Sequence, residues 1–147
     1  MSQSNECPVS SIASEFDSVS AAREAADVEV CWAETQPARK NQLRRDLSYL
    51  DERRRHLLAA ATFDQATSVE GAMFQIGVAF DGIQDIADDL PPDFRERLDR
   101  IDRALYSAAR CIEATGKKSA GMSRLIPMAA NPLGASAKGS VVTLVRN

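Results

Sequence analysis

Asp81, Asp85 and Asp88 are the residues whose type and spacing come nearest to chemistry. Intervals of four and three put the carboxylates on one face of a helix, and hard cations such as Mg²⁺ are held by a few carboxylates plus water. These acids also fall toward the C-terminal end of the helix that must carry them, where they oppose its dipole and need compensation. The chain supplies compensation. In an antiparallel pairing of the two central helices Lys40, Arg44 and Arg45 come level with residues 85–90, and Arg95 and Arg97 lie just past the turn. No second acidic segment of matching character occurs to complete a metal-dependent centre. The expectation is therefore ion pairing among Arg44, Arg54, Asp81, Asp85 and Asp88, with no metal and no cofactor. A metal-dependent enzyme built on the three aspartates ranks below it.

The other reactive side chains form no recognisable set. His56 is the only histidine, with Glu52 one turn before it. A di-iron bundle needs a Glu-x-x-His pair on each of two helices plus two further glutamates, and that set is missing. A single histidine and no Gly-x-Ser-x-Gly elbow leave nucleophilic catalysis without a base and a turn, and no glycine-rich phosphate loop follows a strand. Cys7, Cys31 and Cys111 are odd in number and far apart, which points to reduced thiols rather than a disulfide framework or a zinc site. The chain reads as a non-enzyme.

Arg53, Arg54 and Arg55, with Arg44 and Arg45 before them, raise nucleic-acid binding as the alternative function. Phosphate contacts need a basic surface, and Asp46, Asp51 and Glu52 interrupt this one. The formal net charge of −3 gives no global attraction to nucleic acid or to an anionic membrane. Arg54 falls on an apolar seam, which suits a side chain whose stem packs while its head reaches a carboxylate.

These residues must be positioned by helices. Val69, Met73, Ile76, Phe80, Ile83, Ala87 and Leu90 follow at intervals of four and three, one stripe of a helix over 67–90, widened by Ala72, Ala79 and Ile86. Thr67 and Glu70 suggest a capping box, and Pro91 and Pro92 end the run. Leu43, Leu47, Leu50, Leu57 and Ala61 carry a helix over 37–61, opened by Pro37. Phe94, Leu98, Ile101, Leu105, Ala108 and Ile112 carry one over 93–115. From Ile12 to Glu34 two rotated stripes, Ile12/Phe16/Val19 and Ala21/Ala25/Val28/Trp32, indicate a less regular helix, wrapped on two sides or starting near Ser18 or Ser20.

The fold expected is all-α: an antiparallel up-down bundle of three long helices with a less regular N-terminal helix. Residues 1–11 read as a mobile tail, 12–116 as the bundle and 117–147 as a flexible tail. Met122, Leu125, Ile126 and Met128 would make a short docked turn there. Because the heptad seams end before Gly116, deleting residues 119–147 is expected to leave a folded protein. Val141, Val142, Leu144 and Val145 have strand character without a partner.

Phe74 and Val78 lie opposite the main seam, with Gly71 nearby to allow close approach. They are either covered by helix 12–34 through Phe16 or Trp32, or they form a two-fold interface. No apolar run approaches a membrane span and Met1–Asn5 carry no basic leader region, so the expectation is a cytoplasmic protein. The function expected is non-catalytic protein–protein interaction of a regulatory or adaptor type, with a homodimer open.

Overall fold

A computed structural model of the chain describes residues 7–87 and 90–126. Asp88, Met128 and the apolar run 141–145 lie outside them. Among the described residues the elements are α1 (Pro8–Trp32), α2 (Pro37–Phe63), α3 (Val69–Ala87), α4 (Pro92–Glu113) and a single turn, α5 (Met122–Leu125), with no strand. The protein is an all-α bundle, as the periodicities predict.

Proline sets three of the four long starts. Pro8, Pro37 and Pro92 each occupy the first turn, where a missing N–H costs nothing and the fixed φ suits a helix. The first of these corrects the expected N-terminal boundary. α1 begins inside the stretch read as a tail and runs unbroken to Trp32, so it neither starts late nor is wrapped on two sides. Val9, Ala13 and Phe16 are buried, whereas the second stripe faces solvent, with Trp32 81% exposed. The cap of α3 also shifts by one residue. Ser68 Oγ, not Thr67, accepts the Gly71 N–H at 3.0 Å, because the Thr67 N–H is turned to the Cys7 sulfur at 3.3 Å.

Paired contacts establish the up-down order. Arg39 reaches back to Glu29 at 2.6 Å, Arg23 to Asp51 at 3.0 Å and Arg53 to Glu15, so α1 and α2 run antiparallel. Phe80 meets Tyr106 with ring centroids 6.5 Å apart, and Gln84 donates to Asp102 at 3.0 Å, which makes α3 and α4 antiparallel. Gln75 ties α3 to the end of α2, its amide donating to the carbonyls of Ala61 and Asp64, both at 2.7 Å.

Two apolar clusters fill the interior. One joins Val9, Ala13, Phe16, Leu57, Ala61, Phe74 and Leu125 across four elements. The other joins Met73, Phe80, Tyr106, Ala109, Met122 and Ile126. The turn α5 therefore belongs to the core rather than to a tail. A Cβ on Gly77 would lie 3.0 Å from both the Leu125 Cδ1 and the Met122 sulfur, so α5 seats where α3 has no side chain.

Burial in the second cluster leaves a titration signature. Asp102 is buried, and that burial raises its pKa above 3.8, assisted by Asp99 and opposed by the Gln84 hydrogen bond and by Arg103. A carboxyl whose folded pKa is raised binds its proton more tightly in the fold, so its contribution to stability falls as pH climbs from 3.8 through the raised value. Asp102→Asn keeps an acceptor for Gln84 and removes the charge. It is expected to raise the melting temperature at neutral pH and to lose that advantage at low pH. Thermal unfolding followed by circular dichroism across the acid range checks this; a gap that does not change with pH would show that charge burial is not the cause.

Candidate functional site

Three places on the molecule hold the residues that could carry function. The first is the polar junction of α2 and α3, where a cavity of about 330 Å³ is lined by Asp51, Arg54, Arg55, Leu58, Asp81 and Asp85. The expected register of these helices is corrected here. Asp51, Arg54 and Arg55 stand against Asp81 and Asp85, and Lys40, Arg44 and Arg45 do not. α2 continues to Phe63 and Gln75 caps its last carbonyls, which moves α3 along α2 by about two turns relative to the expected pairing. Arg44 is exposed and forms no ion pair among the described residues.

Arg54 is the organiser of this junction. Its Nε donates to the buried Ser20 Oγ at 3.0 Å, its guanidinium carbon stands 5.3 Å from the Phe16 ring centroid, and its Nη1 is 3.9 Å from Asp51. Its cationic head thus meets the face of an aromatic member of the first cluster while it bonds a hydroxyl and faces a carboxylate. Burial and the neighbouring Asp85 raise the Asp81 pKa, while Arg54 lowers it. A carboxyl shifted upward can act as a proton donor. Among the described residues, no histidine, serine or cysteine lines this cavity for it to act with. Asp88, the third member of the predicted row, lies outside the described residues. His56 is exposed and bonds Glu52 at 3.0 Å.

The arginine run is largely consumed within the fold. Arg53 pairs with Glu15, Arg54 with Ser20 and Asp51, and Arg55 with Glu52 at 2.6 Å. Each pair cancels part of the field that phosphate binding requires.

The second place is Cys7, which sequence reasoning assigned to the tail. Cys7 is the N-cap of α1, and its buried sulfur sits where α1 and α3 begin. The Ser68 hydroxyl brings its thiol down from 9.0 to about 5, against the opposing effect of burial, with help from Thr67 and Ser10. Ser10 Oγ and Ser68 Oγ are 2.9 Å apart, and a Cβ on Gly71 would approach the sulfur to 2.7 Å. Gly71 therefore serves this contact inside the chain. Pro8 was the available signal, since proline suits the first turn of a helix.

The predicted partner-binding pair is corrected in the same way. Phe74 is fully buried with its ring centroid 5.4 Å from that of Phe16, and Val78 is half-buried against the same cluster. α1 covers the face through Phe16, and Trp32 takes no part. Phe74 and Gly71 are interior residues, and Val78 lies half-buried beside them.

The third place is the outer side of the α3–α4 hairpin. The predicted α4 stripe was expected to be a buried seam; its Leu105 and Ile112 do pack against the second cluster, but Asp102, Tyr106 and Ala109 are the residues that face fully inward. Phe94 remains 53% exposed and Ile101 48%, while Leu98, Leu105 and Ile112 are half-buried. On α3, Ile86 is 49% exposed, Ala79 is exposed, and Ala72, Ile76 and Ile83 are half-buried. With Phe80–Tyr106 and Gln84–Asp102 fixing the inward directions, 100° per residue places both stripes on the same side of the hairpin. The Arg97 guanidinium stands over the Phe94 ring on that face, 6.0 Å from its centroid. The stripe was legible in the sequence; the exposure of Phe94 and Ile101 was not.

Comparison with protein-family models, with curated proteins and with solved structures gives no match.

Proposed function

We propose that this chain is a non-catalytic, cytoplasmic interaction protein whose binding surface is the outer face of the α3–α4 hairpin. One observation carries the reading: the α4 stripe spaced by four and three over 94–112 packs Leu105 and Ile112 on the second cluster yet leaves Phe94 and Ile101 half in water. Such a stripe fits another helix laid along it, the mode in which anchors at i, i+3, i+4 and i+7 enter an apolar groove. The partner surface is thus a helix or helical hairpin with a matching apolar face. Two features support the non-catalytic part: the reactive side chains are dispersed, and the arginines and acids are mostly spent on one another. Three unpaired cysteines suit a reducing compartment, and no helix among the described residues is long and apolar enough to cross a membrane.

The test is a comparison of baits. Wild-type chain and Ile101→Glu, both nuclease-treated, are used to capture protein from the native source, with Arg44→Glu as a charge control. The expected result is a stoichiometric partner held by wild type and by Arg44→Glu and lost by Ile101→Glu. Identical capture by wild type and Ile101→Glu would defeat the assignment of this face.

A further inference from the structure

We draw no further inference here: the strongest candidate, the cavity where α1 and α3 begin, lined by Cys7, Ser10, Ser68 and Lys118, rests on a lone cysteine, and nothing else in its walls points to a ligand.

Discussion

Replacing Phe74 with alanine is expected to cost about 3–5 kcal/mol, the range for removing a buried phenyl group. Domains of this size are stable by roughly 5–15 kcal/mol, so the variant should lose a large share of its folding free energy. The magnitude follows from position. Phe74 has no exposed surface, and its ring meets Phe16 at 5.4 Å with the planes tilted by 60°, an edge-to-face-like contact. Val9, Ala13, Leu57, Ala61 and Leu125 share the cluster, so three helices and α5 lose packing together. Urea unfolding followed at the helical circular-dichroism band should show a large drop in midpoint with little change in slope. Phe74→Glu should go further and abolish the cooperative transition. A folded, merely monomeric Phe74→Glu protein would mean that Phe74 lies in an interface after all.

The same residue shows what a sequence can and cannot specify in a bundle. That residues 69–87 are helical, and that Met73 and Phe80 face inward, was readable from intervals of four and three, because periodicity is set by backbone geometry alone. Which neighbour covers a given stripe is a tertiary choice. Phe74 was readable as apolar and opposite the seam, but its cover could have been Phe16, Trp32 or another copy. The α4 stripe failed in part for this reason: Leu105 and Ile112 pack on the core, but Phe94 and Ile101 do not. Leu98 and Ile101 have the better heptad, yet α4 rolls so that Tyr106 meets Phe80 and Asp102 meets Gln84. That exchange buries a carboxyl and leaves Phe94 half-exposed beside the Arg97 guanidinium.

Charges were less legible than stripes. Arg54 was identifiable as a seam arginine because an apolar run surrounds it, but its partners depend on register. A hairpin closed tightly at residue 66 puts Arg44 beside Asp85. The extension of α2 to Phe63 and the Gln75 hydrogen bonds put Arg54 and Asp51 there instead. The N-terminal boundary failed on composition. Residues rich in serine and asparagine read as a tail, and the helix start hides in the proline at position 8.

Ending the chain after Lys118 is the change expected to do most damage. Heptad seams stop before Gly116, and by that pattern alone the segment beyond would be dispensable. The structure places Met122, Leu125 and Ile126 among the core residues, each no more than 4% exposed. At roughly 1.5–3 kcal/mol for each buried side chain, their removal forfeits on the order of 4.5–9 kcal/mol as an upper estimate. Arg124 would go with them, and with it the 2.7 Å ion pair to Asp17 and the contact to Glu24 that tie α5 to α1. The truncation would uncover Phe16 and Met73 and empty the seat at Gly77. The sum is comparable with the whole stability of a small domain. The truncated chain should therefore show weak helicity and no sharp thermal transition. Because truncation also removes residues 127–147, Leu125→Asp is the necessary companion. It keeps the full length and sets a carboxylate against Phe16 and Phe74, where burial of an unpaired charge is strongly unfavourable. Both proteins should fail alike by circular dichroism and by proteolysis, while Ser123→Ala, at an exposed position, should melt with wild type. A chain ending at Lys118 that melts like wild type would show that α5 rests on the bundle without supporting it.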